Sequence, residues 1–168
     1  REPMHEFFDL FIIGEAEEAI VELLNLYRKY KNDYKAARLT KEDLLRELAQ
    51  VEGVYVPALY LTDYNPAGEL VNFSLRFPSL PLKIKKRIVS DFDSAYFPCN
   101  WMVPYVQTIH DRISLEIMRG CPNRCRFCQA RSQYYPLRIR SKEKIVSLAK
   151  LSCASSGYEE LSLAGLSV

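Results

Sequence analysis

The chain has 168 residues, of which 48% are hydrophobic and 26% charged, and a formal net charge of +2. This balance fits one modest folded domain or parts of two rather than a disordered chain, and gives no support for an acidic tail or a surface built to coat nucleic acid. No apolar run approaches the roughly 20 residues that span a bilayer, and no leader-like stretch opens the chain, so a cytoplasmic protein that does not enter membranes is expected.

Arg1-Glu2-Pro3 reads as the middle of a protein, and Leu161 to Val168 reads as a strand cut short. The chain is therefore expected to be an excerpt of something longer, poorly stable or inactive alone. Phe7 to Ile13 is an apolar run that predicts a buried strand. After the turn at Gly14-Glu15, the helical spacing of Ile20, Leu23, Leu24 and Tyr27 predicts a helix. Asn32 to Arg38 is polar and predicts a linker. Thr40, followed by Asp43 three positions on, predicts a capped helix start, with Leu44, Leu45 and Leu48 inside. Val54 to Val56 and Ala58 to Tyr60 read as extended. Asn65-Pro66-Ala67-Gly68 reads as a turn, and Leu70 to Phe77 as a strand that could complete a hairpin. Pro78 to Gln107, rich in proline and aromatics, reads as an irregular connection over a domain surface. Ile113 to Arg119 predicts a strand, Cys121 to Arg140 a long loop, and Ser141 the cap of a helix that ends at Gly157. Ile145, Leu148, Ala149 and Cys153 share one face of that helix, and Leu161 to Gly165 predicts a second strand. Strand, loop, helix and strand form a βαβ unit with the loop at the C-terminal end of its first strand.

Five cysteines, three of them within eight positions, do not make a disulfide framework. Cys121, Cys125 and Cys128 follow a Cys-x3-Cys-x2-Cys spacing just after the predicted strand. Three thiolates on a short loop can hold three irons of a cubane and leave the fourth open to bind a small molecule. Structural zinc is the competing reading, but it calls for four closed ligands and no fourth lies close in sequence; His110 precedes the strand and His5 is remote. Cys99 and Cys153 read as small core residues. Trp101, Tyr105 and His110 read as filling a seam between linker and barrel.

Cys-x3-Cys-x-aromatic-Cys, with Phe127 before the last cysteine, resembles the signature of the radical S-adenosylmethionine superfamily. The resemblance implies a partial barrel of six β/α units. It implies that Cys121, Cys125 and Cys128 hold a 4Fe–4S cluster, that Phe127 lies by the adenine of S-adenosylmethionine, and that Gly165 and Ser167 stand near its methionyl group. Leu163-Ala164-Gly165-Leu166-Ser167 lacks the usual Gly-Gly-Glu and looks more like a methylthiotransferase version. The implied activity is reductive cleavage of S-adenosylmethionine to a 5′-deoxyadenosyl radical that takes hydrogen from an unknown substrate, with a flavodoxin or ferredoxin as electron donor. Arg138-Ile139-Arg140-Ser141 is also similar to a methylthiotransferase stretch, which makes Arg140 the candidate for a substrate-side contact. Arginines around the loop could guide an RNA substrate, or form a solvated face.

Three stretches extend the resemblance to cobalamin-binding-domain radical S-adenosylmethionine proteins, a largely uncharacterised bacterial group: Phe8 to Glu18, Gly53 to Pro57, and Glu116 through Ala130. The implied α/β organisation is the C-terminal edge of a Rossmann-like cobalamin-binding domain at 1–32, an irregular α+β connecting segment at 33–111, and the first βαβ unit of the partial barrel at 112–168. The resemblance leaves cobalamin open for the full-length protein and not expected of this excerpt, since the histidine that would grip it would lie before Arg1. Two further functions are weighed: a methyl- or methylthio-transferase acting on RNA or protein, and a non-catalytic metal-binding module.

Overall fold

The computed structural model describes residues 4–106 and 108–167. Arg1-Glu2-Pro3, Gln107 and Val168, which entered the readings of the chain ends and the connecting segment, lie outside the described residues. The chain is mixed α/β with small two-stranded sheets, and divides into two compact units, Arg1–Val89 and Ser90–Val168. Among the described residues, no helix is long and apolar enough to cross a membrane.

In the first unit, Phe11–Ile12 (β1) pairs antiparallel with Val54–Tyr55 (β2). The expected buried strand over Phe7 to Ile13 is thus only two residues long, and Phe7 and Phe8 are exposed. An apolar run forms a strand only where a partner edge is available, and β2 offers two positions.

Gly14 follows with φ +111 in a bridge to Arg87, where a Cβ would collide with the Arg87 carbonyl oxygen. The Glu15 carboxylate accepts the Val89 amide at 2.7 Å. Arg87 reaches back to Glu18 at 3.1 Å and to Glu22. The helix α1, Ala19–Lys35, runs through the first half of the expected linker. Its buried residues are Ala19 and Leu23, while Ile20 and Leu24 are exposed. The helix α2, Lys41–Leu48, begins as its sequence predicts: Thr40 and Asp43 form a capping box, with the Asp43 amide donating to Thr40 Oγ1 at 3.1 Å. Tyr30 of α1 donates to Glu47 of α2 at 3.0 Å.

Tyr60–Tyr64 (β3) and Leu70–Leu75 (β4) form the antiparallel hairpin, turned at Asn65, whose side-chain oxygen accepts the amides of Ala67 and Glu69. Leu44, Leu45, Leu48, Val54, Val56, Leu59 and Tyr60 make the core with Leu80. Residues 78–106 carry no helix or strand, as expected, yet they are not a surface wrap: Leu80, Val89, Phe92 and Ala95 are buried.

The second unit is built on Ile113–Glu116 (β5) and Leu161–Ala164 (β8), a parallel pair in the register Ile113↔Leu161 to Glu116↔Ala164. Ile113 and Leu115 are fully buried. The predicted strand over Ile113 to Arg119 breaks after Glu116. Met118–Arg119 (β6) pairs antiparallel with Arg138–Ile139 (β7), and the intervening loop holds the short helix α3, Ala130–Tyr134. The crossover helix α4, Lys142–Ser156, is capped by Ser141, which accepts the Lys144 amide at 3.2 Å. It ends at Gly157 in the left-handed region. Its inner face carries Leu148, buried, and Ser152, fully buried, with Ile145, Ala149 and Cys153 half-buried beside them.

Candidate metal centre

The cysteine loop leaves the C-terminal end of the parallel pair, where α/β sheets gather ligand-binding groups. Gly120 starts the loop at φ +88. A Cβ there would lie 2.7 Å from the Pro136 oxygen, 2.8 Å from Leu137 Cα and 2.9 Å from the Tyr134 oxygen, all backbone atoms. Glycine therefore lets the end of the loop lie directly on its beginning.

Cys121 is half-buried, whereas Cys125 and Cys128 are exposed, and none is in a disulfide. The Cys128 amide donates to the Cys125 carbonyl at 3.1 Å, and Cys128 Sγ takes the Ala130 amide at 3.5 Å. Cys125 and Cys128 share the wall of an open cleft of about 560 Å³ with Arg124, Arg131, Ser132 and Tyr135. Cys121 stands outside that lining. Among the described residues, no three His, Cys, Asp or Glu side chains are gathered closely enough to hold a metal ion. The structure thus brings two of the three predicted ligands to one cleft and leaves the third at the neck of the loop. As a donor set, three thiols within eight residues fit a cluster with one open iron.

The other predicted residues separate. Phe127 is 91% exposed at the loop tip. Ser167 joins the loop directly, accepting from Asn123 Nδ2 at 3.1 Å. Gly165 is exposed just beyond β8. Arg140 does not face the cleft as a substrate contact: it is 2% exposed, and its guanidinium donates to backbone carbonyls. A guanidinium so enclosed has no free edge for a substrate.

Tyr105 and His110 are exposed and do not fill a seam, while Trp101 packs edge-on against Phe97 with centroids 6.0 Å apart. Cys99 is half-buried, its sulfur 3.7 Å from the Phe97 oxygen. Arg131 holds the Pro122 carbonyl at 3.0 Å, and Arg119 clasps Glu116 with two bonds of 2.8 and 2.9 Å. Sequence reading missed Asn123, Ser132 and Tyr135. Asn123 lies between the first two cysteines, but nothing local to it points to Ser167.

Comparison with known proteins gives two family matches. Residues 1–57 match the family described as "Radical SAM proteins, N-terminal", and residues 115–167 match the "Radical SAM superfamily". An uncharacterized protein of Methanocaldococcus jannaschii is 33% identical over 148 residues, covering 88% of this chain and 24% of that protein. The chain thus spans about a quarter of the length of that relative. No solved structure matches the chain.

Proposed function

We propose that this chain, whose matches at both ends support the radical S-adenosylmethionine superfamily, carries the cofactor-binding corner of a radical S-adenosylmethionine enzyme. One observation carries the reading. Three thiols in Cys-x3-Cys-x2-Cys spacing follow the parallel strand β5 and the short β6, in a loop whose Asn123 is bonded to Ser167 beyond the neighbouring strand β8.

Cys121, Cys125 and Cys128 would hold a 4Fe–4S cluster. When bound, the cluster and S-adenosylmethionine supply a one-electron cleavage that releases a 5′-deoxyadenosyl radical for hydrogen abstraction. This chain's residues would position that chemistry. Cys125 and Cys128 already share the cleft wall, and Cys121, at the neck of the loop, would have to join them to hold the cluster. Arg124 and Arg131, at the cleft wall, offset negative charge. Phe127, exposed at the loop tip, would cover the adenine, and Ser167 and Gly165 would border the methionyl end. The substrate stays outside this assignment, and a flavodoxin or ferredoxin is the proposed electron source.

The test is anaerobic reconstitution of the full-length protein with iron and sulfide, followed by reduction in the presence of S-adenosylmethionine. 5′-Deoxyadenosine is expected from the wild type, and Cys125→Ala should lower bound iron on the order of tenfold and abolish the product. A fully loaded wild type that leaves S-adenosylmethionine intact would sink the enzyme reading. Zinc in place of iron and sulfide would favour the metal-binding module.

For the full-length protein we extend the proposal to a cobalamin-binding domain whose end includes residues 1–32, on the likeness of the Gly14-Glu15 turn. Retention of cobalamin absorbance by the full-length protein after gel filtration is expected. Its absence removes this extension and leaves the cluster reading untouched.

A further inference from the structure

We propose that Arg140 is a positioning residue that clamps the neck of the cysteine loop, and that its role toward the cluster rests on the reading above. The neck is slight. The β6–β7 ladder has two residue pairs, Met118↔Ile139 and Arg119↔Arg138, and the whole loop from Gly120 to Leu137 hangs from it. So short an antiparallel ladder is marginal in water without bracing.

Arg140, the next residue after β7, supplies the bracing. Its amide donates to the Ile117 carbonyl at 2.9 Å, which extends the ladder by one bond. Its Nε donates to the Glu116 carbonyl at 3.1 Å, where β5 ends. Nη1 donates to the Phe92 oxygen at 2.6 Å and the Asp93 oxygen at 3.3 Å, and both terminal nitrogens reach the Ala95 oxygen at 3.4 Å. The guanidinium also lies 4.2 Å from the centroid of the buried Phe92 ring, and Arg119 lies 4.9 Å from the same ring.

One planar group thus ties three pieces of chain together: the end of β5, the return strand β7 and the irregular segment 92–95. That segment is further fixed by Asp93, whose carboxylate accepts the Ser141 amide at 2.7 Å. A donor fan of this shape is specific to arginine. A lysine keeps the charge and the stem, but its donors sit on one nitrogen and cannot serve carbonyls on opposite sides. The clamp matters for the thiols because Cys121 is two residues beyond β6, and the far end of the loop rests on Gly120.

The experiment compares wild type, Arg140→Lys and Phe92→Leu in the full-length protein, by hydrogen exchange without added metal and by iron content after reconstitution. In Arg140→Lys, amides at 117–119 and 138–140 are expected to exchange on the order of tenfold faster, with α4 unchanged, and bound iron should fall severalfold. Phe92→Leu, which keeps the carbonyls and removes the ring face, is expected to give a smaller effect of the same kind. Unchanged neck protection in Arg140→Lys overturns the clamp, and so does a loss spread evenly through α4, which would make Arg140 an ordinary core residue. A loosened neck with wild-type iron overturns its role toward the cluster. If the wild type itself takes up no cluster, the functional reading fails while the exchange data still decide the clamp.

Discussion

At the scale of single residues, the loop depends on side chains that are absent as much as on those present. Gly120 combines a left-handed backbone with three backbone atoms inside 3 Å of where a Cβ would stand. Gly120→Ala must therefore distort the neck, and the backbone term alone costs about 1–3 kcal/mol. Accelerated exchange at 117–119 and 134–139, with β5 and β8 protected, is the expected result. The same substitution at Gly68, also at positive φ but with open space around it, should cost only the smaller conformational term. Asp93 makes a second residue-level prediction. Hydrogen bonds from the Ser141 hydroxyl and amide hold its carboxyl below the ordinary carboxylate range. A group lowered on folding contributes stability that is present above its unfolded value and is lost as pH falls through the folded one. The first turn of α4 should therefore lose amide protection as pH drops below about 4. Asp93→Asn should flatten that dependence, because asparagine does not titrate.

At the scale of elements, what could be read from sequence follows from how local the governing chemistry is. α2 and α4 were legible because Thr40 with Asp43, and Ser141 with Gly157, carry their own start and stop signals. Thr40→Ala should cost about 1 kcal/mol, seen as faster exchange in the first turn of α2. The βαβ unit was legible for the same reason, since its two apolar strands flank a capped helix. The break after Glu116 was not. It exists because Arg138 and Ile139 return across the loop to pair with Met118 and Arg119, and no residue near the break records that partner. Phe7 to Ile13 failed similarly, because hydrophobicity says that a run wants cover and not how much edge it will find. In the site, cysteine spacing was visible in one line of sequence. The inward turn of Arg140 was not, because its acceptors, Phe92, Asp93 and Ala95, lie in a segment with no periodic pattern.

At the scale of the whole molecule, the chain holds two packed bodies, each with its own core. Leu59 is fully buried at the centre of the first, and Leu59→Ala should cost about 2–5 kcal/mol there, read as lost protection in β2 and β3. Chemistry and packing are divided along the sequence, with the thiols in the second body and the larger aliphatic core in the first. The bond between Glu15 and Val89 joins positions 74 apart, and the Gly14 bridge to Arg87 spans nearly as far. On a ribosome adding roughly 5–20 residues per second, that seam waits several seconds after Glu15 emerges before its other half exists. The Glu15 turn is thus a bookmark held for a late arrival, and a nascent chain stalled before Arg87 would leave Glu15, Glu18 and Glu22 without the arginine and amide they face in the finished fold.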